Sequence, residues 1–256
     1  MPLRPRRFGA ILAAAALALG LHGPGASAAG GPPRPNTACL DSSSPSYAVD
    51  RRIVASLARF GDPLKPFTFD GSSGVSDRFF AYLGHLKCGL IMGFPVDLTD
   101  PDPPNGLAFT KPYLTTAYVL VGRTPLRQAK LRPGMTIAVG MATSPHFYLA
   151  GAFGKVPNYT ADTYQTQEQV LEALLSRHAD AAMVWKPSLV RYRASHPQAR
   201  GLYVSPLNIA HARWHIAALY LESDPAQARR FEGALIRLER SGELESIVSP
   251  YERENG

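Results

Sequence analysis

The sequence lacks the motifs that identify several large classes of enzyme. It contains no Gly-x-Ser-x-Gly elbow, no phosphate-binding Walker loop and no dinucleotide-binding fingerprint. The segment Asp70–Gly74, DGSSG, is typical of a turn rather than of a nucleophile. No other stretch combines a nucleophile with its general base, so the residues do not favour an enzyme.

The sequence also lacks a dense run of lysine and arginine. The formal net charge of the 256 residues is +7. Residues 1–28 hold three of these positive charges and no acid, so the remainder of the chain has a charge of +4. A mild and dispersed positive charge is not typical of a nucleic-acid-binding protein, and we expect no nucleic-acid partner.

Long apolar runs are absent beyond the N-terminus. There, three arginines in residues 1–7 precede the apolar run Phe8–Leu21, and residues 26–28, ASA, form a small-x-small cleavage site. This is the pattern of a secretory signal peptide, and its apolar run is too short to span a bilayer. We therefore predict a signal peptide at residues 1–28, a disordered Pro/Gly-rich leader at residues 29–35, and export to the periplasm without membrane insertion.

Side chains that could bind a metal are few and poorly spaced. Asp97, Asp100 and Asp102 lack the Gly and the Glu that an EF-hand loop needs at its sixth and twelfth positions. His211 and His215 are four residues apart, but a strand is predicted from residue 215, and a strand would separate them. We expect no metal and no other cofactor.

The chain has only two cysteines, Cys39 and Cys88. In an exported protein they are expected to form a disulfide, although two buried free thiols are an alternative. The bond would close 49 residues of chain, the difference between the two residue numbers. In the chain-entropy account this closure stabilises the protein by about 4 kcal/mol.

Strand and helix patterns alternate in the first part of the chain. They predict strand, helix, strand, helix and strand at residues 37–40, 48–60, 66–70, 76–86 and 89–94. This order implies a parallel sheet, and in the flavodoxin-like arrangement the first strand lies between the other two. Cys39 would then be on the neighbour of the strand that follows Cys88, within reach of a disulfide.

The same alternation restarts after Arg123. It predicts strands at residues 135–140, 179–185, 202–204 and 215–221, in addition to the strand at residues 115–121 that precedes Arg123. Helices are expected after Ser144 as a cap, after a capping box at Thr166, and from Asp224 and Glu243. The chain is therefore expected to be α/β, with two halves of similar architecture.

The stretch Cys88–Arg123 is predicted to form one wall of a binding cleft. Its first strand should end at Pro95 in an irregular polar loop, which is where open α/β sheets bind ligands. Aromatic residues at strand ends can stack on a ligand or a partner, although each by itself is more typical of a core. The aromatic residues at such positions are Tyr47, Phe109, Tyr113 and Trp185. Free N–H groups at Thr143 and Ser144 could hold an anion, although an ordinary capped helix explains the same residues.

This stretch resembles a segment of the periplasmic solute-binding proteins of family 3, the amino-acid-binding type. Cys88–Gly93 is similar to their "cDvvmG" strand, and Phe109–Tyr113 to their "f-[ST]-x-P-Y" motif, which includes Thr110. Residues 136–140, 171–183 and 224–247 are also similar to segments of that family. The resemblance implies a two-lobed periplasmic-binding-protein (type II) fold, each lobe a mainly parallel sheet flanked by helices. Lobe 1 would be residues 36–115 plus 210–256, and lobe 2 residues 116–209.

The polar anchors of the amino-acid binders are missing. No arginine lies between Cys88 and Phe109, where those proteins have one that clamps the ligand carboxylate. Trp185-Lys186-Pro187 is found where they place an aspartate for the ligand ammonium. These departures argue against amino-acid transport.

A narrower group, the MxaJ/XoxJ-type proteins associated with quinoprotein methanol dehydrogenases, is similar over more motifs. The matching segments are Ala38–Asp41, Lys87–Pro95, Thr110–Arg123 and Val184–Pro187, and both cysteines are at the group's positions. The resemblance implies a periplasmic accessory of a dehydrogenase that uses pyrroloquinoline quinone (PQQ). Its cleft would bind a protein partner, either the dehydrogenase or its cytochrome c.

Two other functions are weighed against this one. The protein would be the solute-binding protein of an ABC transporter, with a small polar solute and a permease as partners. A less favoured alternative is a dehydratase-type enzyme on the same scaffold. The absence of a set of acid and base side chains argues against this alternative. For both the accessory role and the solute-binding role, the residues expected to contact the partner or the ligand in the cleft are Asp41, Tyr47, Phe109, Thr110, Tyr113, Thr143, Ser144 and Trp185.

Overall fold

The structure, a computed structural model, describes residues 36–72, 76–152 and 159–252. The predicted signal peptide and leader lie outside these described residues. No helix in the described part of the chain is long and apolar enough to cross a membrane.

Strands and helices alternate along most of the chain. The strands are β1 Thr37–Asp41, β2 Lys65–Phe69, β3 Leu90–Val96, β4 Leu107–Phe109, β5 Leu114–Gly122, β6 Thr136–Gly140, β7 Thr160–Tyr164, β8 Ala181–Trp185, β9 Tyr203–Pro206 and β10 Arg213–Leu221. The helices are α1 Tyr47–Leu57, α2 Asp77–Leu86, α3 Ser144–Leu149, α4 Gln167–Leu175, α5 Lys186–Ser195, α6 Ala226–Arg240 and α7 Glu243–Glu252. The α/β class predicted from the sequence is confirmed.

The strands form a sheet in the order β2-β1-β3-β10-β5-β8-β6-β7. β1 pairs in parallel with both β2 and β3, so the prediction that the first strand lies between the next two is confirmed. β6 likewise pairs in parallel with β7 and β8. Each end of the sheet therefore has the parallel pairing that strand–helix–strand units produce.

Strand β5 joins the two parallel ends of the sheet. Its first residues, 114–117, pair antiparallel with β10, and its later residues, 118–122, pair with β8 and β9. Because Tyr118 is where the partner changes, its side chain lies where the two halves meet. The lobe boundaries given above stay a prediction.

Strand β3 continues further than its proline suggested. The prediction that Pro95 ends the strand is wrong, because β3 runs to Val96 and Pro95 pairs with Ile216 of β10. Proline lacks an N–H group and is tolerated beside irregular pairing. Such an irregularity is present, since the register of β10 against β3 shifts between Ala217 and Leu219.

Several other local predictions need correction. The structure adds β4, β7 and α5, which the sequence patterns did not predict. Ser144 is not the cap of α3: Thr143 occupies the N-cap position and Ser144 is the first helical residue.

The capping box at Thr166 is confirmed, because Thr166 and Gln169 exchange side-chain-to-backbone hydrogen bonds.

Cys39 and Cys88 form the predicted disulfide, with their Cα atoms 5.7 Å apart. Cys39 lies in β1, and Cys88 lies two residues before β3 begins. Both are buried in a cluster of apolar side chains between the sheet and α2. The bond therefore ties together two neighbouring strands on the face that α2 covers.

Candidate functional site

A cavity of about 330 Å³ opens where strands β3, β5, β8 and β10 meet the starts of three helices. The described residues that line it are Ser44, Pro45, Ser46, Gly93, Pro95, Tyr118, Gln167, Trp185, Ser188, Trp214 and Ile216. Its size is at the lower end of the range for ligand cavities in proteins. None of these lining residues carries an acidic or a basic side chain.

Aromatic rings form much of the cavity wall. The rings of Tyr118 and Trp185 are in contact, with centroids 5.0 Å apart and planes inclined by 54°. Trp214 is fixed by a hydrogen bond of 2.8 Å from its Nε1 to the backbone oxygen of His211. Burial raises the pKa of Tyr118 to about 12, so its hydroxyl stays protonated and can donate a hydrogen bond.

Three helices begin at this cavity. Ser46 is the N-cap of α1, Gln167 is the first residue of α4, and Trp185 is the N-cap of α5. The Gln167 Oε1 atom accepts a hydrogen bond of 2.9 Å from the Trp185 N–H, which ties the starts of α4 and α5 together. The first turn of a helix has N–H groups without acceptors inside the helix. At α1 two of the N–H groups are bonded to Ser44, that of Ser46 to the hydroxyl and that of Tyr47 to the backbone oxygen.

Ser188, in the first turn of α5, is the least satisfied polar group of the cavity. Its side chain is 1% exposed, and its Oγ atom has no hydrogen-bond partner among the described residues. Buried hydroxyl groups almost always have a partner, because an unpaired one destabilises the protein by about 1–3 kcal/mol. A hydroxyl left unpaired on a cavity wall is therefore available to a ligand.

A buried polar network lies directly behind the wall at Ser46 and Gly93. The carboxylate of Asp50 accepts hydrogen bonds from the Tyr113 hydroxyl at 2.6 Å and from the Ser46 hydroxyl at 2.7 Å. The Gly93 N–H in turn donates to the Tyr113 oxygen at 2.7 Å. Ser44 is bonded to Ser46 through their hydroxyl oxygens at 2.9 Å. The network therefore fixes the loop before α1 against β3.

Burial raises the pKa of Asp50 to about 7, although its hydrogen bonds with Tyr113 and Ser46 act in the opposite direction. The negative charge of Asp41 adds to the rise. In the unfolded chain the pKa is near 3.8, so between about pH 4 and pH 7 the folded protein holds a proton that the unfolded chain has lost. The stability from this proton is complete below about pH 4 and is lost as the pH rises through 7.

We predict that Asp50→Asn removes this pH dependence. The free energy of unfolding is measured in urea at pH 4.5 to 8. It should fall with pH more steeply for the native protein than for the variant, and below pH 7 the difference in slope should correspond to about one bound proton. Asp70→Asn, which changes an acid of lowered pKa that is fully exposed, should leave the slope close to native. Parallel curves for the native protein and Asp50→Asn would contradict the raised pKa.

Of the side chains predicted to line a cleft, the structure brings only Trp185 to this cavity. Tyr113 is buried behind the wall, in the network with Asp50. Phe109 lies in β4 against Phe94, with ring centroids 5.6 Å apart. Thr110 is buried and accepts a hydrogen bond from the Ala218 N–H at 3.0 Å. These three side chains pack or support the sheet.

The other four predicted residues also lie off the cavity wall. Asp41 accepts hydrogen bonds from Gly71 N–H and from Ser43, and so organises the loop that leads to Ser44. Tyr47 begins α1, packs against the core and has Arg51 6.0 Å from its ring centroid. At the start of α3, the Thr143 hydroxyl donates to the Gly140 oxygen at 2.7 Å, and Ser144 follows it.

The sequence contained weak signals for some of the residues that it did not predict. Gly93 is a glycine inside a strand pattern, which often marks a bulge or a close approach. Pro187 follows Trp185 closely, and a proline at that place is as typical of the first turn of a helix as of the end of a strand. That reading would have placed Ser188 at a helix start. Nothing in the sequence indicates that Trp214 and Tyr118 share a cavity.

Other cavities and side-chain clusters have fewer features of a binding site than the 330 Å³ cavity. A second cavity, of about 400 Å³, is lined by residues 115–119 of β5 and includes Lys186, Arg213 and Glu252. It has neither the aromatic pair nor the converging helix starts. The described residues contain no group of three or more His, Cys, Asp or Glu side chains that could hold a metal ion.

No protein-family model matches the chain, and no characterised protein matches it by sequence. Solved structures do match. A substrate-binding protein of an amino acid ABC transporter has a TM-score of 0.57 at 14% identity, covering 84% of this chain and 97% of its own. An ancestral cationic amino acid solute-binding protein has a TM-score of 0.65 at 14% identity, and the match covers 85% of this chain and 95% of its own.

A third structure is the arginine-, lysine-, histidine-binding protein ArtJ from Geobacillus stearothermophilus. It has a TM-score of 0.56 at 17% identity, with 85% of this chain and 95% of its own covered. At such identities the comparison establishes the fold alone. The protein has the two-lobed type II fold of periplasmic binding proteins, as the sequence predicted.

Proposed function

We propose that the protein is an extracytoplasmic solute-binding protein that holds one small solute in the 330 Å³ cavity. The observation that carries this proposal is the convergence of three helix starts and two tryptophans on one cavity, with the unpaired hydroxyl of Ser188 on its wall. The shared fold supports the proposal, since its neighbours are mostly binding proteins. The disulfide supports an oxidising compartment outside the cytoplasm.

The cavity lies where the two predicted lobes face each other. Ser44, Ser46, Gly93 and Trp214 belong to lobe 1 as bounded above, and Tyr118, Gln167, Trp185 and Ser188 to lobe 2. A solute held there would contact both lobes. We therefore propose that binding favours a closed arrangement, with an ABC permease as the partner that receives the solute, and we assign no catalytic step to the protein.

Both tryptophans of the chain line this cavity, so its fluorescence reports on the site. Native mass spectrometry of the protein purified from its own cells should show a retained small molecule. Adding that molecule to the emptied protein should change the tryptophan emission. A protein that retains nothing, and whose emission no fraction of a metabolite extract changes, would overturn the proposal.

The pair of substitutions Trp185→Ala and Trp214→Ala should weaken binding of the retained molecule by about 100-fold, because each aromatic face contributes about tenfold by stacking. Calorimetry measures this loss without the tryptophan signal. Tyr203→Ala is a suitable control, because Tyr203 is an exposed aromatic in β9 that does not line the cavity. Equal affinities of the native and doubly substituted proteins would place the solute elsewhere.

A second candidate is the accessory role in a quinoprotein dehydrogenase system. It rests on the sequence resemblance described above and on the disulfide, which joins the two cysteines at the positions of that group. The same purification separates the two candidates. A dehydrogenase or cytochrome c subunit retained at a fixed ratio, with no small molecule, would favour the accessory role.

A further inference from the structure

The start of α5 lacks the acidic residue that each of the other two helix starts at the cavity contains. The first turn of α1 contains Asp50, and that of α4 contains Glu168, whose pKa is lowered by its bond with Arg191. The first turn of α5 contains no acidic side chain. The positive end of the α5 dipole is therefore not offset by an acid of its own.

Ser188 places two donors at this helix start. It is the third residue of α5, so its N–H group has no acceptor within the helix, and its buried hydroxyl has no partner among the described residues. One residue earlier, Pro187 has no N–H group to offer. An oxygen atom of a ligand that reached Ser188 could accept from both of its groups.

We propose that this subsite holds the carboxylate of the solute, and that the solute is a small organic acid without an ammonium group. The proposal rests on the proposed function, since it names the ligand class of the same cavity. A carboxylate is bound well at a helix start even without a cationic side chain. The lining has no such cation, so one carboxylate suits the cavity better than a ligand with several negative charges.

The described lining contains no acidic side chain that could form an ion pair with an ammonium group. The buried acid Asp50 is behind the wall at Ser46, and both of its oxygens already accept hydrogen bonds, from Tyr113 and Ser46. An ammonium group buried without a partner is strongly disfavoured. A zwitterionic amino acid with its carboxylate at Ser188 would have no carboxylate in the described lining to neutralise its ammonium group.

The body of the solute would lie among Tyr118, Trp185 and Trp214. These rings offer flat apolar faces, and the Tyr118 hydroxyl offers one more donor. A compact acid with one apolar or aromatic face and a hydroxyl or carbonyl oxygen fits this combination.

Two sets of three probes, equal in size within each set, test the ligand class. They are mandelate, mandelamide and phenylglycine, and lactate, lactamide and alanine. Each set compares a hydroxy acid, its uncharged amide and the amino acid of the same skeleton. By tryptophan fluorescence and calorimetry, the hydroxy acid of at least one set should bind at least tenfold more tightly than both of its relatives. An amide or an amino acid that binds as tightly as its hydroxy acid would overturn the proposal.

Ser188→Ala separates a ligand contact from a structural role. Affinity for the hydroxy acid should fall about tenfold or more, while thermal stability stays the same or rises, because the lost hydroxyl had no partner. Ser195→Ala, on the same helix with its hydroxyl bonded to Tyr192 O, is the control and should leave affinity unchanged. A Ser188→Ala variant that binds the acid normally would overturn the subsite.

The failures of the two proposals are distinguishable. If native mass spectrometry shows a retained solute that is uncharged or zwitterionic, the carboxylate proposal fails and the solute-binding function stands. If no retained solute, no extract and no probe affects the protein, both proposals fail.

Discussion

Gly93→Ala is expected to lower the free energy of unfolding by about 4 kcal/mol, because two separate penalties add. The backbone of Gly93 has φ of +86°, a conformation that a residue with a Cβ atom adopts at a cost. A Cβ atom at this position would also lie 2.7 Å from Asp50 Oδ2 and 2.9 Å from Ser46 Oγ. The new methyl group would therefore break the hydrogen bond between those two side chains.

The chain offers a matched control for this substitution. Gly106 has φ of +75°, and a Cβ atom there would meet nothing within 4 Å. Gly106→Ala therefore carries the backbone penalty alone, about 1 kcal/mol. Urea unfolding of the two variants measures the difference, which isolates the network behind the cavity wall. Equal losses for Gly93→Ala and Gly106→Ala would show that the network contributes nothing.

The same substitution should also affect binding. Gly93 lines the cavity, and Ser46 beside it holds the start of α1 in place. A displaced Ser46 would change the shape of the wall, so we expect Gly93→Ala to weaken binding of the retained solute by at least tenfold at a temperature where the variant is still folded. Gly106→Ala should bind it as the native protein does.

Removing the disulfide, by Cys39→Ala with Cys88→Ala, is expected to lower the free energy of unfolding by about 4 kcal/mol. The bond closes a loop with a sequence separation of 49, which limits the unfolded chain far more than the folded one. The folded chain keeps its strand pairing, since β1 is bonded to β2 and β3 independently of the cysteines. The substituted protein should therefore fold and bind, but unfold at a lower urea concentration.

Reduction provides the control for the disulfide prediction. A thiol reductant should lower the urea midpoint of the native protein to nearly that of the double variant and should leave the variant unchanged. An unaltered midpoint in the double variant would show that the bond constrains the unfolded chain less than its loop length predicts.

Much of the fold followed from local patterns in the sequence. Apolar runs bounded by Gly and Pro located β1, β3, β5, β6 and β8, and the capping box located α4. The topology of the first three strands was predicted together with the pairing of Cys39 and Cys88. Local patterns failed where one residue supports two readings. Lys186-Pro187 was expected to end a strand but lies in the first turn of α5, and Pro95 was expected to end a strand but lies inside β3.

Most of the predicted cleft residues lie away from the cavity lined by Trp185 and Trp214. The aromatic residues of the "f-[ST]-x-P-Y" segment were expected in the cleft, but Tyr113 is behind its wall and Phe109 is in a cluster of aromatic rings. Both side chains do contact β3, Tyr113 at Gly93 and Phe109 at Phe94. Sequence position did not give the direction of their side chains, because that depends on which neighbouring strand each one faces.

The sequence by itself determined the α/β class, the strand order of the first sheet segment and the disulfide, because spacing, capping and turn chemistry act over a few residues. Only the tertiary structure decided the cavity. Ser46, Tyr118, Ser188 and Trp214 come from four elements far apart in the chain, and they meet because β5 and β10 cross between the two halves of the sheet. The unpaired hydroxyl of Ser188 likewise exists only in the folded protein, since burial is what removes water from it.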